Sequence, residues 1–169
     1  LKETVEAVNK HVFDLRKSSG TDMGSTLVMA MLDGPRAYIA HVGDSRAYLV
    51  NSREIRRLTV DHSLVERLVA TGQIRREEAQ HHPQKNVIYR TIGDKPRLDV
   101  DASVVDLSVG DRLMLCSDGL CGLVEDGQMQ KLVMGAPSPQ AACEALVSAA
   151  NAAGGDDNIS VIVVEIIRG

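Results

Sequence analysis

The sequence predicts an α+β fold with antiparallel strand pairing, and three observations point there. Residues 1–19 place Leu1, Val5, Val8, Val12 and Leu15 on one helical face and Lys2, Glu6, Asn9 and Arg16 on the other. Residues 23–58 hold four short apolar runs separated by tight turns, the pattern of a meander. Residues 137–153 read as a helix, with Ser138 as N-cap, Pro139 at the first helical position and Gly154 as the stop, ahead of a last apolar run.

Taken in order, the opening helix ends at Gly20. Strands are expected over residues 23–32 and 36–42, joined by the turn Asp33-Gly34-Pro35, then over 47–50 and 55–58. Ser63 is placed to cap a short helix over residues 64–70, and a charged helix follows over 75–80, stopped near Pro83. This polar segment, residues 63–85, interrupts the strands and reads as a flap-like insertion on the surface, where substrate contacts tend to sit. Residues 98–107 form the next strand, with Leu98, Val100, Ala102 and Val104 on one side. The apolar run Leu113, Met114, Leu115 marks a strand over 112–116, a helix is expected over 125–134, and the last strand over 159–167.

The 169 residues suit one domain, residues 1–169, large enough to bury a core. Only 2% are aromatic, so the core falls to Val, Leu, Ile, Met and Ala. A net charge of -4 and a pI near 5.7 argue against nucleic acid held by phosphate contacts, and no apolar run has membrane-spanning length. Cys116, Cys121 and Cys143 lack zinc spacing, and no Arg stands six residues after any of them, as the phosphate loop of cysteine-dependent phosphatases requires. They read as reduced packing groups, which fits a cytoplasmic protein.

Three acidic turns stand beside apolar strands: Gly43-Asp44-Ser45, Ser117-Asp118-Gly119 and Gly155-Asp156-Asp157-Asn158. Carboxylates without Cys or His at ligand spacing suit hard cations such as Mg²⁺ or Mn²⁺. Each turn has a plainer reading too. Asp-Gly is a common β-turn pair, and Asp44 could pair with Arg46 to close a bulge beside Gly43. His62, next to Asp61, is either a base or ligand or a satisfied structural histidine.

Five motifs together, HVGDSRAYLV from His41, LTVDHS from Leu58, YRTIGD from Tyr89, LCSDGL from Leu115 and GGDDNISVIVV from Gly154, resemble the metal-dependent protein phosphatases of the 2C type, the PPM family, in its bacterial branch. The resemblance implies a central sandwich of two antiparallel β-sheets flanked by helices. It implies hydrolysis of phosphoserine and phosphothreonine in proteins by a metal-activated water at a binuclear Mn²⁺ or Mg²⁺ site. Asp118 and Asp157 match metal ligands of the two central ions. Asp44 matches the carboxylate that joins the Asp118 equivalent at a third, weaker ion, and Asn158 matches a residue that orients the ligand shell. Phosphoproteins made by a cognate Ser/Thr kinase would be the partners.

The first strands of the family's domain, its phosphate-binding arginine, its aspartate-glycine metal motif and its general acid are expected upstream of Leu1. Without those strands, exposed sheet edges open a route to self-association. The alternative function is a catalytically inactive phosphatase-like fragment that binds phosphoproteins or a regulator.

Overall fold

The computed structural model describes residues 1–168. Helix α1 (Lys2–Ser19) ends on Gly20, whose positive φ of 65° suits a residue without Cβ. Strands β1 (Leu27–Asp33) and β2 (Arg36–Val42) form the expected hairpin about Gly34. Strands β3 (Arg46–Val50) and β4 (Ile55–Arg57) form a second one. Helices α2 (Leu64–Ala70) and α3 (Arg76–Ala79) fill the polar segment, and Ser63 Oγ caps α2 by accepting the Glu66 N–H. Strands β5 (Asp101–Asp106) and β6 (Arg112–Cys116) follow. Three helices come next, α4 (Asp118–Cys121), α5 (Asp126–Gly135) and α6 (Pro139–Ala152), before the last strand, β7 (Val161–Glu165).

The strands make two antiparallel sheets, ordered β1-β2-β5 and β4-β3-β6-β7. Strand alternation explains the layering. Ala47 and Leu49 of β3 face Ala37 and Ile39 of β2 in the core between the sheets, with Val105, Leu107 and Leu113. Tyr48 and Val50 turn to the other face, where Met129 and Val133 of α5 and Leu146 and Ala150 of α6 cover them. On the far face of the smaller sheet, Val5 of α1 packs on Ala40, Val42, Leu98 and Val100. The result is the sandwich flanked by helices that the sequence implied. Among the described residues no helix is long and apolar enough to cross a membrane.

Three expectations need adjusting. The first strand begins at Leu27 because Ser25 is drawn into an isolated bridge with Ile92, which exchanges both backbone hydrogen bonds with it. The strand expected over residues 98–107 begins only at Asp101, so Leu98 and Val100 are buried ahead of it beside α1, while Ala102 and Val104 are exposed. The acidic turn at Asp118 opens straight into α4, a helix too short for periodicity to reveal.

Register decides where the acidic turns go. Arg46 opposes Cys116, and Cys116 opposes Val161. The start of β3, the end of β6 and the start of β7 therefore lie side by side, because neighbours run antiparallel. Asp44, Asp118 and Asp157 leave the larger sheet at the same end.

Candidate metal centre

A cleft of about 780 Å³ opens at that end, and Asp44, Asp118, Asp156 and Asp157 all line it. Residues of the polar segment, among them Glu66, Arg76 and Lys85, line it too.

The Asp118 and Asp157 turns are laced together through Ser117. Its N–H donates to the Ser160 carbonyl at 3.0 Å, its hydroxyl donates to the Asn158 carbonyl at 3.1 Å, and the Ser160 N–H donates to that hydroxyl at 3.0 Å. Gly119 permits the close approach, since a Cβ there would overlap the Asn158 carbonyl oxygen. Each carboxylate is oriented by the next residue: the Gly119 N–H donates to Asp118 Oδ1 at 3.0 Å and the Asn158 N–H to Asp157 Oδ1 at 2.7 Å.

Asp44 is held differently. Arg46 does not pair with it but grips Asp61, with Nε and Nη2 donating to the carboxylate at 3.0 and 2.6 Å. The pair expected between Arg46 and Asp44 forms instead with a residue fifteen positions on. Burial first, and the negative charge of Asp118 second, push the Asp44 carboxyl up to about 6, and a backbone hydrogen bond and the Arg46 charge offset this only in part. Carboxylate oxygens that line one cleft are the donor type a hard divalent cation takes.

Asp61 also lies 3.8 Å from Arg57, and Arg57 reaches Glu66 at 3.1 Å. Glu66 accepts both Nη atoms of Arg76 at 2.6 and 2.7 Å. Burial alone would raise the Glu66 carboxyl, but Arg76 and Arg57 overcome it and hold it near about 2. Sequence reasoning missed this network. Its signal, Asp and Arg residues scattered from 46 to 76, becomes spatial only once the polar segment folds back.

One cluster outside the cleft brings three potential ligands within 4.8 Å of one another: His41, His62 and Asp101. It does not suit an ion. The two imidazoles stack at 4.7 Å with planes 15° apart, so their in-plane lone pairs run nearly parallel and do not converge. His41 Nε2 is already 2.8 Å from the Val60 carbonyl. His62 is thus not placed as an ion ligand.

The thiols also match expectation: all three are free, and Cys116 is buried in the core beneath the site.

Comparison with known proteins now bears on this geometry. Residues 1–68 match the family model described as protein phosphatase 2C. The chain is 40% identical over 168 residues to the serine/threonine phosphatase stp of Listeria monocytogenes, covering 98% of this chain and 66% of that protein. It is 43% identical over 145 residues to the protein phosphatase PhpP of Streptococcus pneumoniae, covering 85% of this chain and 58% of that one. The chain thus spans just under two thirds of the length of the curated relatives it matches. Among solved structures, the serine/threonine phosphatase Stp1 from Staphylococcus aureus superposes with a TM-score of 0.95 at 35% identity, over 98% of this chain and 66% of that one. The catalytic domain of the phosphatase PstP, solved with two manganese ions, gives 0.89 at 30% identity, over 99% and 70%.

Proposed function

This chain belongs to the protein phosphatase 2C family, and we propose that its acidic cleft serves the hydrolysis of phosphoserine and phosphothreonine in proteins at a binuclear Mn²⁺ or Mg²⁺ site. Asp118 and Asp157 would hold the central ions, and Asp44 with Asp118 a third, weaker one. Bound cations there supply an acidified water and positive charge against the phosphoryl oxygens. The chain's part is positioning. The Gly119 and Asn158 N–H groups orient the two carboxylates. Ser117 keeps their turns in register.

The observation that carries this reading is the shared strand end: three acidic turns from distant parts of the sequence enter one cleft. Residues 63–85 act as its flap within a single catalytic domain. Lys85, which lines the cleft and forms no ion pair among the described residues, is a flap cation placed to meet a phosphoprotein made by a Ser/Thr kinase. Copies would associate through the open edges β1, β5, β4 and β7, which concentration-dependent sedimentation tests.

The test of the site is Mn²⁺-dependent phosphate release from a phosphothreonine peptide by the full-length natural protein. Asp118→Ala and Asp157→Ala should each remove nearly all of it. Unchanged release in both variants overturns the assignment. Peptide binding without release in the natural protein supports the binding-module alternative instead.

A further inference from the structure

In the loop that carries Asp44, the residue just before it, Gly43, is gripped by a single residue. Gly43 lies at φ 106°, and a Cβ there would collide with Thr26, so its backbone geometry is set by its surroundings. Both of its polar groups go to His62. The Gly43 N–H donates to His62 Nδ1 at 3.0 Å, and the His62 N–H donates to the Gly43 carbonyl at 2.8 Å.

The choice of hydrogen-bond partners favours one tautomer. A neutral imidazole has one acceptor nitrogen and one donor. Two donors face this ring: Gly43 N–H at Nδ1 and Arg90 Nη1, 2.9 Å from Nε2. Arg90 has other acceptors, Asp101 Oδ1 at 2.8 Å and the Asp99 carbonyl at 3.2 Å. The Gly43 N–H has none among the described residues. Nδ1 is therefore the better-placed acceptor, which leaves the proton to Nε2, between Arg90 Nη1 at 2.9 Å and Asp101 Oδ2 at 3.4 Å. Burial, and then Arg90, hold the His62 pKa below its ordinary value, in keeping with a neutral ring.

We propose that His62 is a positioning residue for the phosphatase reaction: through Nδ1 and its own backbone N–H it sets the Gly43 backbone from which Asp44 enters the cleft. The proposal rests on the reading of Asp44 as a metal ligand. It commits Asp101 to a defined part, that of holding the Nε2–H tautomer.

Two side-chain amides separate hydrogen bonding from packing. The amide oxygen of Asn reaches the place of Nδ1, whereas that of Gln extends toward Nε2. Leu fills much of the volume with neither. Mn²⁺ binding to the full-length natural protein is followed by electron paramagnetic resonance of the free ion, and the step lost in Asp44→Ala defines the Asp44 site. His62→Gln and His62→Leu should weaken that step about tenfold, the scale expected for removing a group that orients a ligand. His62→Asn should stay within about threefold, because the Gly43 bond survives. A step that is lost in Asp44→Ala but unchanged in His62→Gln and His62→Leu overturns the proposal alone. No step lost in Asp44→Ala overturns the Asp44 reading, and the proposal with it. Long-range ¹H–¹⁵N spectra of the unmutated protein decide independently of any variant's folding. A bare Nδ1 with protonated Nε2 on His62 supports the mechanism, and a protonated Nδ1 overturns it.

Discussion

The two sides of the acidic cleft are built on opposite plans. Asp118 and Asp157 project from turns that continue the β6–β7 ladder, and their supports are backbone groups plus Ser117 next door. Asp44 projects from a loop supported by side chains, most of them from a separate strip of chain: Thr59 Oγ1 accepts the Ala47 N–H, Asp61 grips Arg46, and His62 grips Gly43, while Thr26 Oγ1 lies 2.9 Å from Ser45 Oγ. One side is positioned by sheet register, the other by side chains on a crossing segment. Damage to register should therefore disturb the Asp118–Asp157 side as a unit, whereas damage to the crossing strip should disturb Asp44 alone.

The strongest way to break that contrast is Gly119→Ala. The added Cβ meets a backbone carbonyl, at Asn158, which cannot swing away as a side-chain tip would. We expect a loss of about 3 kcal/mol of stability, on the scale of overpacking a tight site, together with weaker Mn²⁺ binding at the two central positions. Chemical denaturation and Mn²⁺ titration of the full-length protein check both. Retained stability would show that the two turns can separate freely, which contradicts the first plan.

Asp61→Ala strikes the other plan. It strands the largely buried Arg46 guanidinium, whose remaining partner is the Tyr48 hydroxyl at 3.1 Å. A loss of about 2 kcal/mol is expected, below the range for a fully buried pair because Arg46 keeps some contact with water. Mn²⁺ binding should weaken at the Asp44 site while the two central sites keep their affinity. Equal weakening everywhere would mean that the two sides are one mechanical unit.

The contrast also explains what was legible in the sequence. The Asp118 and Asp157 sides could be read because their signal is local: an apolar run that stops at Ser-Asp-Gly, and a Gly-Asp-Asp-Asn that precedes another apolar run. Antiparallel pairing of those runs then brings the turns together. The partner of Arg46 could not be read, since Asp44 stands two residues away and Asp61 fifteen, and local spacing favours the nearer one. Only the return of residues 59–62 alongside the loop reverses that choice. Similarly, alternation put Leu98, Val100, Ala102 and Val104 on one side but could not tell that the strand starts only at Asp101 or that Ala102 and Val104 stay exposed.

A gentler probe of register is Ser117→Ala, which removes the hydroxyl that stitches Asn158 and Ser160 but leaves the Ser117 N–H bond to Ser160. The site is partly solvated, so about 1.5 kcal/mol is expected for the two bonds together. Hydrogen exchange should show the Ser160 amide losing protection. Unaltered protection there would make the hydroxyl incidental and leave the ladder alone in charge.

The smallest effect distinguishes the two sides by charge. Burial and the Asp118 charge hold the Asp44 carboxyl at about 6 against 3.8 for an ordinary one, so the folded protein binds this proton more tightly than the unfolded chain does. Ionising Asp44 therefore opposes folding when no cation is bound. The penalty is absent below 3.8, grows through the interval, and is complete above about 6. Asp44→Asn should then stabilise the protein in EDTA by about 1 kcal/mol near neutral pH, allowing for solvent screening of a half-buried carboxylate, and by almost nothing near pH 4. Saturating Mn²⁺ should cancel the advantage, because the cation rewards the charge that the empty cleft penalises. A gain of equal size at both pH values would trace the effect to the hydrogen bonding of the amide instead of the lost charge, and would remove the electrostatic reason for placing a cation beside Asp44.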